Sequence, residues 1–135
     1  MRAVFVDTAG WMALADANDH QHEACRAIRD EWLRKGGILL STDYVLDETL
    51  TLLRVRLGLG VTLRWWEQVE NSGRLRWEWI TPQRTEKALR WFFAWKEHAF
   101  SFTDCTSFVV MRELRLRRAL TLDAHFQRAG FETIP

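Results

Sequence analysis

The chain has 135 residues, of which 47% are hydrophobic and 27% charged, and its formal net charge at pH 7 is +1. That length predicts one domain spanning residues 1–135 with a core of its own, and the apolar fraction excludes a disordered chain. No apolar run approaches the roughly 20 residues of a membrane-spanning helix, and no signal-peptide cleavage pattern follows the first residues, so a cytoplasmic protein without membrane partners is expected.

Along the chain, short apolar runs alternate with longer amphipathic stretches bounded by capping residues and glycines, which predicts alternating strands and helices. The predicted strands are residues 3–6, 38–40, 74–79, 119–122 and 131–134. The predicted helices are residues 8–17, 20–35, 43–57, 61–71, 82–97 and 104–117. This order predicts a three-layer α/β fold with a central parallel sheet of four to five strands flanked by helices.

Carboxylates recur where the predicted strands end. Asp7 and Asp123 directly follow buried strands, and Asp104 lies in the first turn of a helix. The helix over residues 43–57 offers a fourth acid, and Glu48 is a better candidate than Asp47 because it borders the apolar stripe instead of projecting towards solvent. Ligands bind beyond the carboxyl ends of the strands in open α/β sheets, so these acids are expected to share a cleft.

Carboxylates that share a cleft repel one another and need cations to neutralise them. Their oxygen ligands suit Mg²⁺ or Mn²⁺, which activate water and orient a phosphodiester. The residue types therefore point to metal-assisted phosphodiester hydrolysis. Structural roles stay open for each acid alone, because Asp commonly begins turns and a carboxylate in the first turn of a helix complements its dipole.

Four segments of the chain together resemble PIN-domain nucleases, and specifically the VapC toxins of toxin–antitoxin pairs. Residues 4–9 (VFVDTA) resemble the opening strand with its Asp, and residues 41–50 (STDYVLDETL) the acidic helix, whose acid falls on Glu48. Residues 101–108 (SFTDCTSF) resemble the stretch that carries the third acid, and residues 120–126 (LTLDAHF) the closing motif. Their order and separations match the family over nearly the whole chain.

The resemblance implies an endoribonuclease that depends on Mg²⁺ or Mn²⁺, with Asp7, Glu48, Asp104 and Asp123 as its catalytic and metal-binding residues. It also implies a homodimer, and a small VapB-like antitoxin protein that holds the enzyme inactive. Ala9 stands where many relatives have Ser, so the nearest hydroxyl that can assist a metal or phosphate belongs to Thr8, next to Asp7.

Charge is unevenly distributed along the chain. Residues 1–48 carry a net charge of −4, whereas residues 49–118 carry +6, and 16 of the 19 basic residues are Arg. An RNA backbone that approaches four carboxylates needs a positive rim. The predicted phosphate-contacting residues, which lie in the basic middle segment, are Arg54, Arg56, Arg64, Arg74 and Arg76.

The chain has eight tryptophans, which are not part of the family pattern. Most have the spacing of core residues. Trp11, Trp65 and Trp66 fall on elements that the resemblance associates with the antitoxin groove and the dimer face, where aromatic anchors are enriched, so they are predicted to contact a partner. His125, two residues after Asp123, is expected on the surface or in packing.

Two other functions remain open on the sequence. One is a non-catalytic PIN-like module that binds RNA or protein, although the presence of all four acids speaks against it. The other is a phosphatase of a different Asp-rich α/β fold. The segment after Asp7 lacks the second Asp, two residues on, that haloacid-dehalogenase-type phosphatases carry.

Overall fold

The computed structural model describes residues 2–135, in which strands and helices alternate as the sequence predicts. The strands are β1 (Ala3–Val6), β2 (Ile38–Thr42), β3 (Leu75–Glu78), β4 (Arg118–Leu120) and β5 (Glu132–Ile134). The helices are α1 (Thr8–Ala15), α2 (His22–Arg34), α3 (Asp43–Glu70), α4 (Pro82–Ala94), α5 (Phe102–Glu113) and α6 (His125–Arg128).

The strands form one parallel sheet in the order β3-β2-β1-β4-β5, which confirms the predicted fold class. The chain moves from β1 outwards to β3 and then returns to β4 on the other side of β1. Because such crossovers are right-handed, α1 to α3 and α4 to α6 cover opposite faces of the sheet. The direction of winding changes between β1 and β4, and ligands bind at the carboxyl ends of strands at such a point.

Side chains that precede the helices fix where they begin. The hydroxyl of Thr42 accepts a hydrogen bond from the N–H of Val45 at the start of α3, and Ser101 forms a capping box with Asp104 at the start of α5. Pro82 occupies the first turn of α4, as predicted, because its missing N–H has no partner there in any helix.

The two helices predicted over residues 43–57 and 61–71 are joined in α3. The helix bends at Gly58, whose φ of 89° and ψ of 168° are not helical. α3 therefore consists of two helical segments that meet at Gly58, as predicted, whereas Gly60 lies within the second segment. The bend separates an N-terminal half that reaches the carboxyl edge of the sheet from a C-terminal half that packs against α1 with Trp65.

Trp11 and Trp65, two of the three tryptophans predicted to contact a partner, lie largely inside the protein. They are 3% and 5% exposed, and their rings meet edge to face with centroids 5.5 Å apart. Trp11 also donates its indole N–H to the hydroxyl of Ser41 on β2. Of the three predicted contact residues, Trp66 alone keeps a partly exposed indole.

Membrane insertion of a helix was not expected from the sequence. Across residues 2–135, no helix combines the length and the apolar character that crossing a bilayer requires.

Candidate active site

The four predicted acids converge on one cleft at the carboxyl ends of β1 and β4. Asp7, Glu48, Asp104 and Asp123 all line this cleft, which has a volume of about 310 Å³. They come from the end of β1, from α3, from α5 and from the turn after β4, so four separate elements supply one carboxylate each. Asp47 is exposed, in agreement with the choice of Glu48.

A close approach between α1 and β4 sets the position of Asp7. Asp7 caps α1 by accepting the N–H of Gly10 at 2.9 Å. A Cβ atom on Gly10 would lie 2.1 Å from the carbonyl oxygen of Leu120, so only glycine lets the first turn of α1 approach β4 this closely. The carboxylate is therefore held by backbone packing as well as by hydrogen bonds.

Asp7 is buried, and both of its oxygens accept hydrogen bonds. Oδ1 accepts from Gly10, and Oδ2 accepts from the hydroxyl of Thr121 at 2.7 Å. The pKa of Asp7 is raised from 3.8 to about 7, mainly because of burial. The two hydrogen bonds act against this rise, and the negative charges of Asp123 and Asp104 contribute to it. A cation in the cleft would counter the burial and the repulsion and favour the ionised carboxylate.

Asp104 and Asp123 meet at His125. Nδ1 of His125 lies 2.8 Å from Oδ2 of Asp104 and 3.4 Å from Oδ1 of Asp123. The N–H of His125 also donates to Oδ1 of Asp123, and the N–H of Ser101 donates to Oδ2 of Asp104. One ligand atom from each of Asp104, Asp123 and His125 falls within 4.8 Å of the others, a grouping that suits a metal ion.

Hydrogen bonds of Thr121 connect Asp123, and with it the group around His125, to the buried Asp7. The hydroxyl of Thr121 donates to Asp7 and accepts the backbone N–H of Asp123 at 2.9 Å. A single threonine on the turn after β4 thus fixes the spacing of carboxylates that are 116 positions apart in the sequence.

The side of the cleft that α3 forms carries one acidic and one basic side chain. Glu48, Leu52 and Arg56 follow each other at four-residue spacing and line the same cleft. Arg56 was predicted to contact RNA, and the structure places it at the cleft, on the wall that carries Glu48. Across the described residues it has no ion-pair partner, which leaves its guanidinium free for an anion.

The chemistry of the cleft suits a divalent cation. The donor set is rich in carboxylate oxygens, the preferred ligands of Mg²⁺ and Mn²⁺. The hydroxyl of Thr8 lines the cleft, is buried and has no hydrogen-bond partner within residues 2–135. Buried polar groups are rarely left unpaired, so this orphan hydroxyl is in keeping with a ligand, its water or a phosphate in the cleft.

The other predicted arginines do not reach this cleft. Arg74 donates to the carbonyl oxygens of Leu33 and Gly37 and joins the start of β3 to the turn before β2, a structural role. Arg76 pairs with Glu78 on the edge strand β3. Arg54 is exposed on α3, and Arg64 borders a groove between α1 and the second half of α3.

Two residues at the cleft were not selected from the sequence. His125 was expected on the surface or in packing, but it contacts two of the acids. Asp19, in the turn between α1 and α2, also lines the cleft and accepts the N–H of Gln21. The spacing of His125 from Asp123 was the available signal, whereas nothing in the sequence around Asp19 distinguishes it from an ordinary turn residue.

Comparisons with known proteins agree with this arrangement. The family model described as PIN domain matches residues 4–132. The chain is 34% identical over 128 residues to the 23S rRNA-specific endonuclease VapC20 of Mycobacterium tuberculosis, covering 95% of each protein. It is also 34% identical over 131 residues to a VapC ribonuclease of Archaeoglobus fulgidus, covering 92% of this chain and 79% of that one.

Solved structures give the same relationship. The crystal structure of Mycobacterium tuberculosis VapC20, a Sarcin-Ricin loop cleaving toxin, has a TM-score of 0.87 at 34% identity over 98% of this chain and 99% of that chain. FitAcB from Neisseria gonorrhoeae has a TM-score of 0.67 at 13% identity over 98% and 96%, which shows a common fold.

Proposed function

The chain belongs to the PIN-domain family and is homologous to its VapC ribonuclease toxins, and from that premise we propose that it is a toxin endoribonuclease. We propose further that it cleaves the sarcin–ricin loop of 23S rRNA and uses Mg²⁺ or Mn²⁺. The observation that carries the proposal is the convergence of Asp7, Glu48, Asp104 and Asp123 on one cleft. That convergence disfavours a non-catalytic binding module, which has no use for four mutually repelling carboxylates.

In this proposal Asp104, Asp123 and Asp7 hold the cation, and Glu48 faces them from α3. A bound Mg²⁺ or Mn²⁺ would supply activation of the attacking water and neutralisation of the phosphate charge. The capping box of Ser101 keeps Asp104 in place, and Thr121 keeps Asp7 and Asp123 at a fixed separation. Such preorganisation lowers the barrier because no side chain has to reorient during the reaction.

The substrate enters from the side of α3. Arg56 is placed to contact a phosphate next to the scissile one, and the unpartnered hydroxyl of Thr8 is placed to donate to a phosphate oxygen or to a metal-bound ligand. Water is the nucleophile, so no covalent intermediate between enzyme and RNA forms. His125 positions Asp104 and Asp123 and is not assigned as a general base.

Cleavage assays on acid-to-amide variants test the proposal. Asp7→Asn and Glu48→Gln are expected to lower cleavage of a sarcin–ricin loop hairpin by at least about 1,000-fold, because each removes a charge that faces the cation. Asp47→Asn is the matched control, since Asp47 is exposed one residue away on the same helix. Full activity of purified Glu48→Gln, with Asp47→Asn equally active, would contradict the assignment.

We propose two protein partners as well, a second copy of the chain and a VapB-like antitoxin. The support for a dimer is a set of exposed apolar side chains on α3, Val55, Leu59 and Leu63, which are 78%, 60% and 53% exposed. The support for an antitoxin is the groove of about 420 Å³ between α1 and the second half of α3, with Trp65 in its floor and Arg64 at its border. Partner surfaces of this kind are apolar at the centre and polar at the rim.

A further inference from the structure

We propose that the chain has a second RNA-binding site, remote from the cleft, in which Arg112, Arg115 and Arg117 hold backbone phosphates. We call it the distal basic face. It rests on the proposed function, because it takes RNA as the ligand. It lies where the end of α5, the start of β4 and the turn before β5 surround a depression of about 590 Å³. This is the amino end of the strands, whereas the acid cleft lies at their carboxyl end.

Arg112 lies near two aromatic rings, which restrict its side chain. Its guanidinium carbon lies 5.2 Å from the centre of the Trp91 ring and 5.8 Å from that of Phe131. These cation–π contacts leave the N–H donors of the guanidinium available, and no carboxylate within residues 2–135 forms an ion pair with it. A guanidinium that is fixed and unpaired suits a phosphate, because little side-chain entropy is lost on binding.

Arg115 occupies a backbone position that favours glycine. Its φ is 57°, and it follows the C-cap of α5, with its N–H bonded to the carbonyl of Arg112 and the N–H of Leu116 to that of Met111. The same pair of hydrogen bonds ends α2 and α6, where the corresponding residues are Gly36 and Gly130.

The three helix ends have the same backbone conformation but different side chains. At the ends of α2 and α6 the residue is glycine, which adopts a positive φ without strain, whereas at the end of α5 it is arginine. The turn itself does not require a guanidinium, so its presence points to a role outside the fold. Non-glycine residues with such dihedral angles are concentrated at functional sites.

Nearby acids do not neutralise the face. Glu113 is engaged by Arg84 and Lys87, at 2.7 Å from each. Glu132 borders the depression and pairs with Arg118 at 3.1 Å. Arg112, Arg115 and Arg117 therefore keep an excess of positive charge on one surface, and that excess favours a polyanion.

One RNA molecule can occupy both sites. Five residues separate Arg118, at the start of β4, from Asp123, which is about 16 Å at the rise of an extended strand. Even at the roughly 3.4 Å axial spacing of phosphates in a B-form strand about five nucleotides cover this distance, and an A-form RNA stem, with its smaller rise, needs slightly more. The distal basic face would hold the stem of a hairpin whose loop lies in the acid cleft.

The test compares RNA binding by Arg115→Gly/Arg117→Ala with its parent, both in a cleavage-deficient Asp104→Asn background. A sarcin–ricin loop hairpin is expected to bind several-fold more weakly, and the slope of log affinity against log salt is expected to fall by about 0.7–0.9 for each lost phosphate contact. Arg26→Ala is the control for charge, because Arg26 is exposed on α2 and pairs with Glu23. A dinucleotide RNA, which is too short to span both sites even when extended, is expected to bind all variants equally when it is bound in the acid cleft.

Melting temperatures test whether weaker RNA binding by the variant results from a less stable fold. Arg115→Gly places the residue of the other two helix ends in this turn, so its melting temperature is expected within about 3 °C of the wild-type value. Unchanged affinity and salt slope for the hairpin would overturn the proposal, as would an equal loss for the dinucleotide RNA. Failure of the wild-type protein to cleave any RNA would instead refute the proposed function, because the binding comparison does not use cleavage.

Discussion

Asp7 is the residue on which the site depends most, because it is the only buried one of the four acids. Its two oxygens are occupied by Gly10 and Thr121, so it cannot rotate away from the other carboxylates to relieve repulsion. Burial beside like charges destabilises the ionised form, and a cation reverses that balance. Without metal, ionisation of the buried Asp7 near neutral pH therefore lowers the free energy of unfolding.

This penalty predicts how stability depends on pH. The pKa of Asp7 is 3.8 when unfolded and, because of burial, about 7 when folded, so the folded chain binds more protons between these values and its unfolding free energy falls as pH rises. In EDTA, Asp7→Asn is expected to remove this dependence and to be more stable than wild type at pH 8 by about 2–4 kcal/mol. Urea unfolding at pH 5 and pH 8 measures it; parallel pH profiles of the two proteins would show that Asp7 does not titrate in this range.

His125 is expected to matter for metal affinity. Its ring and its backbone N–H contact Asp104 and Asp123, and loss of such an orienting contact commonly lowers metal affinity 10–100-fold. His125→Ala is therefore expected to bind Mn²⁺ about 10-fold or more weakly in calorimetry. His20→Ala, on the exposed turn before α2, is the control and should bind as wild type does. Equal affinities for the two variants would remove His125 from the site.

Residue patterns predicted the acids better than they predicted this histidine. Glu48 was separable from Asp47 because helical periodicity alone says which of two neighbours borders the apolar stripe. The position of His125 depends instead on a short turn and on the four-residue helix α6, which has too few residues to show a periodic pattern. Contacts made across such turns are set by tertiary structure.

At the scale of elements, the approach of α1 to β4 determines the geometry of the cleft. Gly10→Ala would place a methyl carbon 2.1 Å from the carbonyl oxygen of Leu120, so α1 must shift and carry Asp7 with it. A loss of at least about 2 kcal/mol in unfolding free energy is expected, together with a large loss of activity. Gly73→Ala is the control, because a Cβ there meets no atom within 4 Å. Urea unfolding of both variants measures the difference; equal stability would show that α1 tolerates the shift.

Most elements were predictable because their apolar spacing, caps and glycines agree with one another. The same holds for α3, where the glycines predicted two helical segments. Gly58 adopts a positive φ and non-helical dihedral angles, and a second segment begins after it. Leu53 and Trp65, on either side of the bend, are both buried, so each segment contributes to the core.

At the scale of the molecule, the exposed apolar side chains of α3 predict self-association. Leu59→Lys/Leu63→Lys is expected to convert a homodimer into a monomer, because two buried charges without partners destabilise an interface. Light scattering coupled to size exclusion measures the mass, and Arg26→Ala, on α2, should leave it unchanged. A wild-type protein that is monomeric at all concentrations would contradict the predicted dimer.

The distribution of positive charge over the folded molecule was only partly predictable from the sequence. The segment over residues 49–118 was identified as basic, but sequence does not say which arginines are consumed inside the fold. Arg74 is bound by two carbonyl oxygens, whereas Arg56 reaches the acid cleft and Arg115 lies on the distal basic face. In a parallel sheet, the position of a residue before or after a strand determines its end of the sheet, whereas strand order, a property of the whole chain, determines which residues become neighbours there.

The hydrogen bond from Thr121 to Asp7 also has a consequence for the time at which activity arises. Ribosomes make Asp7 early and make Asp104, Thr121 and Asp123 in the last third of the chain. Until β4 emerges and docks beside β1, a growing chain lacks Asp123 and the threonine that spaces Asp7 and Asp123, and has at most three of the four carboxylates. The acid cleft is therefore complete only after nearly the whole chain has been made and β4 has docked.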